Sequence, residues 1–417
     1  MKALFIGLVW PESRSTAASQ NILSYLHLFQ QQGVECLFVS AAQKTEKSDA
    51  LDTIGIASQS IALNCASFDH LVAEFAPDIV VFDRFLSEEQ FAARVMQAAP
   101  QALRILDCED LHFLRQARAS AYRQGQDLNQ QDVSFSQLSN DTAIREIAAI
   151  YRCDLSIVLS SKEQDILSKD FGISTDLIAC VPFLYRPELA EHEMQNTFQQ
   201  RVDFISIGSF RHAPNWDAVL KLKQGLWPSI RKQLPNANCH VYGSYLTPKA
   251  KALEDKKTGF LVHGFVENAP RAMSNSRVLL APIQFGAGLK GKLLDAIYAG
   301  TPSVTSSIGA EGYPFAADWP GAIANNDADF IKAAVRLYKH EADWQAAHKT
   351  TLNCHLSTNQ LAQLGQQLWQ RVSAVQSTLS EHRSKNFLGR MMQHQSLYAS
   401  KYMSQWIEAK NRPSLAE

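Results

Sequence analysis

Gly286, Gly288, Lys290, Gly291 and Lys292 crowd into one short stretch, GAGLKGK. These residue types suit a phosphate. Glycine lets a backbone come close to an anion, and a helix starting there offers free N–H groups and a partial positive charge. Lys290 and Lys292 add full charges, and Asp295 follows one turn into the next helix, where a carboxylate can accept bonds from ribose hydroxyls. The bland alternative is a tight turn with two solvated lysines. Stepping outward, Val278 to Ala281 is an apolar run closed by Pro282, which reads as a buried strand. Leu293 to Ala299 carries a helical pattern that Gly300 stops. A second strand, Pro302 to Thr305, leads into the loop Ser306 to Gly312, which contains Glu311.

A second concentration of chemistry follows the strand Leu103 to Leu106. Asp107, Cys108, Glu109, Asp110, Leu111 and His112 put three carboxylates and a histidine in six residues. A positioned carboxylate or histidine can orient or deprotonate a hydroxyl. The structural alternative is Asp110 capping a helix, with His112 on its face. Two more loops lie at the carboxyl ends of expected strands, where open α/β sheets bind ligands. One holds Ser13, Arg14 and Ser15 after Ala3 to Val9, and the other Asp83 and Arg84 after Ile79 to Phe82. Ser87 with Glu88 and Glu89 reads as a capped helix start, which makes those glutamates structural. Asp327-Ala328-Asp329 matches D-x-D, a metal motif, but stands at a helix N-terminus where acids are expected anyway. No metal site is expected.

The chain of 417 residues is long enough for two domains, and 46% hydrophobic residues with 19% charged make it globular. A net charge of −1 argues against a nucleic-acid binder working by bulk electrostatics. Seven scattered cysteines with no C-x-x-C pair suit a reducing cytosol. Met1 to Trp10 reads as a first strand rather than a signal peptide, and no apolar stretch is long enough to span a membrane.

The strand, the helix Ala17 to Gln32 and the strand Val34 to Ser40 make a βαβ opening, hence a parallel sheet. Residues 41–60 are polar and irregular, and Gln124 to Asn140 reads as a mobile loop. After the strand Leu177 to Val181, residues 182–200 lack periodicity and read as a connector between domains 1–181 and 201–357. The second domain opens with the strand Val202 to Ile207 and a loop holding Gly208, Ser209, Phe210, Arg211 and His212. A surface arginine is disfavoured at the helix start that follows, because the dipole opposes it. Residues 358–381 and 386–409 read as two long helices within a terminal segment, 358–417. FLGRMMQHQSLYASKYMSQWIEAK is aromatic, Met-rich and basic, suited first to packing on the protein and second to lying on a membrane surface.

The central stretch resembles the nucleotide-sugar-binding segment of GT-B glycosyltransferases, specifically glycosyltransferases group 1 (family 4). LLDAIYAGTPSV matches the second half of their pattern, a Glu followed by A-x-x-x-G-x-P-V, with Asp295 in place of that Glu. The family's earlier Glu is absent, and Phe285, Gly286 and Ala287 occupy its region. The stretch is similar to a sub-pattern, G-x-G-x-K-x-K followed by two apolar residues and E-A, with an E-G pair after the next strand that Glu311–Gly312 supply. APNWDAV resembles the same sub-pattern, and His263-Gly264-Phe265-Val266 the G-x-V segment that holds the base.

The resemblance implies two Rossmann-like, doubly wound parallel-sheet domains facing a cleft, with C-terminal helices crossing back. It implies transfer of a sugar from a nucleotide-sugar donor, with retention and without a metal or other cofactor. The implied donor residues are Gly208, Arg211, Phe265, Val266, Gly288, Leu289, Lys290, Lys292, Leu294, Asp295 and Glu311. Arg211, Lys290 and Lys292 would hold leaving-group charge. The acceptor side would use Ser13, Arg14, Asp83 and Arg84, with a functional residue among Asp107, Asp110 and His112. The acceptor would be a glycan, a lipid-linked sugar or a protein, in cell-surface polysaccharide or glycoconjugate synthesis. The expected place is the cytoplasm, with peripheral contact at the inner membrane face through the C-terminal helices. Two other readings stand beside it. Gly286-Ala-Gly288-Leu-Lys-Gly291 also matches G-x-G-x-x-G, and Glu311 lies near the spacing of the ribose acid, as in an NAD(P)-dependent oxidoreductase. A non-catalytic nucleotide-sugar binder is the third.

Overall fold

In the computed structural model, residues 1–187 and 189–394, with Tyr402, Met403 and Trp406, are described. The first half of the chain contributes strands β1 (Lys2–Gly7), β2 (Glu35–Ser40), β3 (Ala57–Ser60), β4 (Ile79–Asp83), β5 (Leu103–Asp107), β6 (Leu155–Val158) and β7 (Ile178–Cys180). They form one parallel sheet in the order β3-β2-β1-β4-β5-β6-β7. The second half contributes β8 (Val202–Ile207), β9 (Cys239–Tyr242), β10 (Phe260–Gly264), β11 (Ser276–Ala281), β12 (Ser303–Thr305) and β13 (Gly321–Ile323), ordered β10-β9-β8-β11-β12-β13. Every residue of β4, β5, β6 and β12 is buried, as expected where helices cover both faces of a parallel sheet. Strand order reverses between β1 and β4 and again between β8 and β11. Ligand crevices form at such switch points, and here the loops leaving both sheets line one cleft.

Several local expectations change. β3, ASQS, has no apolar signal and joins the sheet only by pairing with β2. The helix expected to be capped by Ser87 begins a turn earlier, at Arg84, and runs to Ala98. Arg84 turns the chain straight from strand to helix at φ +67. Ser87 is therefore inside the helix, bonding the Asp83 carbonyl, and Glu88 is buried against Arg152. The 124–140 segment is anchored, not a bare loop: Arg118 grips Asp132, and Ser134 and Gln137 close a capping box on the turn Phe135–Leu138. Residues 182–200 contain a helical turn, Glu191–Met194, and a helix not expected from sequence spans Glu341–Asn353.

The expected helix over 358–381 is broken at Thr378 into Thr358–Ser377 and Leu379–Lys385. Both pack on the first sheet's half of the molecule. Leu368, Val372 and Val375 join the core that holds Phe5 and Phe29, and Trp369 meets Phe29 edge-on at 5.3 Å. Each such buried side chain contributes about 1.5–3 kcal/mol. Arg383 then forks onto Asp154 at 2.8 Å through both Nε and Nη2. Phe387–His394 is helical, while most of 395–409 lies outside the described residues. Among the described residues no helix is long and apolar enough to cross a membrane.

Candidate active site

The cleft between the two sheets has a volume of about 620 Å³. On the second sheet's side, β8 delivers Gly208 and β11 delivers the glycine loop. Gly208 sits at φ +156, a conformation that side-chain-bearing residues rarely adopt, and a Cβ there would also displace the ends of Asn215 and Lys292, 2.6 Å and 2.8 Å away. Lys292 Nζ donates to Asn215 Oδ1 at 2.7 Å, and Lys290 Nζ donates to the Gly288 carbonyl at 2.8 Å. No side chain caps the helix Gly291–Tyr298, and within its first turn Leu293 N–H donates to the Lys290 carbonyl at 2.7 Å. Burial pulls the Lys292 ammonium down to about 7 and pushes the Asp295 carboxyl up to about 7. Asp295 Oδ1 is buried without a hydrogen-bond partner. Burial also lowers Lys290, against the pull of Glu311.

At the outer end, Arg211 stacks 3.7 Å from the Tyr245 ring centroid, and Lys47 of the first half lies 4.5 Å from the Phe265 ring centroid. Phe265 is 38% exposed, and Val266 is half-buried beside it. An open aromatic face flanked by cations suits a planar ring.

The first sheet supplies the opposite wall. Asp110 pairs with Arg115, which with His112 holds the carboxyl at about 2 although burial pushes it up. His112 Nδ1 donates to the Asp110 carbonyl at 3.0 Å, and its backbone N–H is taken by Glu146. Beneath them Asp83, Asp107 and Glu109 bring carboxylate oxygens within 4.8 Å of one another, with Arg84 Nε 3.4 Å from Asp83. Burial and the neighbouring Asp83 push Asp107 up to about 8, and burial with Asp107 raises Glu109 well above the carboxylate range. At neutral pH this cluster therefore retains protons.

Of the residues singled out from sequence, Ser13, Arg14, Arg84, Asp110, His112, Gly208, Arg211, Phe265, Val266, Leu289, Lys290, Lys292 and Asp295 line the cleft. Five do not. Asp83 and Asp107 lie under the floor, since each ends a central strand and is fixed there by the sheet. Leu294 turns into the apolar layer between the halves. Gly288, at φ +63, is pressed against Asp110, whose Cβ would be 2.8 Å from a Cβ at this position. Glu311 turns away from the cleft and forks onto Arg118. Ser13 lines the wall but is held by Asp49, through its N–H at 2.7 Å and its hydroxyl at 2.9 Å.

His212 in the cleft and Glu163 buried behind its wall were not singled out by the sequence. His212 faces the cleft, and desolvation, with Arg115, Lys292 and Lys290 nearby, lowers it to about 4 against the pull of Asp110. Glu163, pushed up to about 7 by burial, takes the Leu111 N–H at 3.0 Å. Its signal was present in Ser160-Ser-Lys-Glu163, the spacing of a capping box. Asp327 and Asp329, the D-x-D pair, are exposed, with Lys221 2.8 Å from Asp327 and Asn326 capping Asp329.

Two switch-point sheets facing one cleft define the GT-B class of glycosyltransferases. Residues 201–340 match the family model of glycosyl transferases group 1, so this part of the chain is a group 1 glycosyltransferase domain. The fold is similar to that of HepE from Anabaena, solved with UDP and glucose, at a TM-score of 0.62 and 12% identity over 89% of this chain and 99% of that one. It is similar to S. aureus TarM, solved with UDP, fondaparinux and α-GlcNAc-glycerol, at 0.65 and 8% over 89% and 99%. WaaG, a glycosyltransferase involved in lipopolysaccharide biosynthesis, gives 0.57 and 13% over 88% and 98%. No curated protein sequence matches the chain.

Proposed function

We propose that the protein transfers a sugar from a nucleoside-diphosphate donor of the uridine type to an acceptor hydroxyl, with retention and without a metal ion. One observation carries this: Lys292, Gly208 and the uncapped start of the helix Gly291–Tyr298 converge on one corner of the cleft. In this reading the bond from the anomeric carbon to the diphosphate breaks and a bond to the acceptor oxygen forms. Lys290, Lys292, Arg211 and the helix amides hold the departing charge, commonly a large contribution to catalysis. Asp295 faces the ribose, and Phe265 with Val266 the base. Asp110, held at about 2, is too weak a base to deprotonate a hydroxyl. It orients the acceptor with His112 instead, and the acceptor proton leaves with the diphosphate.

The relatives solved with UDP support the donor class. WaaG supports an acceptor in a cell-surface glycoconjugate. The nicotinamide reading loses weight on position. The G-x-G-x-x-G run follows β11, whereas that fingerprint belongs after a domain's first strand, here β8. The test is a panel of UDP-, GDP-, ADP- and dTDP-sugars with NAD and NADP, read by thermal stability and by release of nucleotide. A UDP-sugar should stabilise and turn over, and Lys292→Ala should abolish both effects. Stabilisation by a nicotinamide dinucleotide alone would overturn the proposal.

A further inference from the structure

Arg118 is a charged side chain with no exposure, and the mechanism above does not use it. It stands on the helix His112–Arg123, in the first sheet's half. There it holds Asp132, through Nε at 2.9 Å and Nη2 at 2.6 Å. Its remaining donors cross to the other half. Nη1 donates to the Gly286 carbonyl at 2.8 Å, and Nη1 and Nη2 fork onto Glu311 at 2.7 Å each. Gly286 opens the glycine loop after β11, and Glu311 ends the turn after β12. One guanidinium therefore ties two loops of the donor side to the opposite half. The Tyr122 ring, on the same helix, meets Phe285 of the glycine-loop segment at 5.3 Å, a second contact between the halves.

The planar fork matters. A guanidinium can hold a carboxylate with two parallel bonds and still reach a carbonyl, which an ammonium cannot do with the same geometry. Separating the halves would strip Arg118 of these crossing bonds while Asp132 stayed with it. Glu311 would be left without its partner. Opening the cleft would exchange this paired, charge-assisted contact for bonds to water, so the contact favours the closed cleft and fixes where the glycine loop sits.

We infer that Arg118 is a positioning residue for the nucleotide-sugar donor, holding Gly286 and Glu311 so that the loop carrying Lys290 is set by the opposite half of the molecule. The inference rests on the donor reading above for its ligand, but not for the placement of the loop.

The experiment uses the full chain with Glu311→Gln, which keeps the shape, alongside Arg118→Lys, Arg118→Gln and the double variant Arg118→Gln/Glu311→Gln. Amide hydrogen exchange over residues 282–292 reads the loop directly, and UDP titration reads its use. Glu311→Gln should speed exchange in 282–292 while leaving β4 and β5 protected, and should weaken UDP binding about tenfold. Arg118→Lys should restore less than half of what Arg118→Gln loses. The double variant should be no weaker than Arg118→Gln alone, as residues acting through one contact are not additive. Unchanged loop exchange in Glu311→Gln, or additive losses, would overturn the inference. If the wild type fails to bind UDP, the donor reading falls, and the exchange experiment still decides whether Arg118 positions the loop.

Discussion

The Tyr245 hydroxyl donates to Glu12 Oε2 at 2.6 Å, joining a turn after β9 to the loop after β1 across the mouth of the cleft. Thr45 donates to the other oxygen of Glu12 at 2.6 Å, so the carboxylate is held from both halves. The same tyrosine ring carries Arg211 on its face, and Tyr245 itself is held at φ +58. Tyr245→Phe keeps the ring under Arg211 and removes only the clasp. Losing a hydrogen bond to a charged group costs about 1.5–3 kcal/mol. Stopped-flow release of UDP should therefore be roughly tenfold faster, with Arg211→Ala weakening affinity further. Equal release rates in Tyr245→Phe and wild type would show that the clasp does not gate the mouth.

Nucleotide binding should weaken above neutrality. Burial leaves the Lys292 ammonium at about 7 in the free protein, whereas a bound diphosphate favours its charged form. Below pH 7 the lysine is already protonated and affinity is flat. Above pH 7 binding has to take up a proton, so Kd rises by up to about tenfold per unit. Asp295, about 7 as well, gains its charge over the same range. Lys292→Arg, which stays charged, should flatten the lysine's share of the profile in calorimetric titrations from pH 6 to 9.

Asp107→Asn should stabilise the protein at neutral and mildly alkaline pH. The Asp107 carboxyl is raised to about 8 when folded, from an ordinary value near 4 when unfolded. Between these values the folded state binds more protons, so stability is full below pH ~4 and falls as pH climbs to about 8. Asparagine removes that loss. A gain of about 1 kcal/mol would raise Tm by about 2–4 °C in a large domain. The gain should appear at pH 8 and vanish toward pH 4.5 in a calorimetric scan.

Gly288→Ala tests the closeness of the two walls. The added carbon would sit 2.8 Å from Asp110 Cβ, and φ +63 is unfavourable for alanine. Backbone strain of this kind costs about 1–3 kcal/mol. Donor turnover should drop at least tenfold, while the far-ultraviolet circular dichroism spectrum is unchanged. Normal turnover would mean that the loop moves freely relative to Asp110.

The sequence made some parts of this molecule plain and hid others for physical reasons. Ile79 to Phe82 and Leu103 to Leu106 announce themselves because strands buried on both faces are apolar throughout. Ala57–Ser60 does not, since an exposed edge strand of small polar residues is held only by backbone pairing. The helix Glu341–Asn353 buries only Trp344, Ala347 and Thr351, too sparse a stripe to read. Gly208, Lys290 and Lys292 were legible as cleft residues because each stands in a glycine-containing loop directly after a readable strand. Arg118 was not, because Gly286 and Glu311 lie 168 and 193 residues away along the chain. Glu311, placed from sequence with the donor, instead turns toward Arg118.

The helices Thr358–Ser377 and Leu379–Lys385 complete the core of the half that was made first. Phe29 gains Trp369 and Asp154 gains Arg383 only when these helices dock. On the ribosome, then, β1 to β7 emerge and pair with an apolar face still bare, and stay so until the whole second sheet has been synthesised. The half that is translated first is the last to be finished. During that interval its uncovered Leu28 and Phe29 surface is what a holding chaperone would meet.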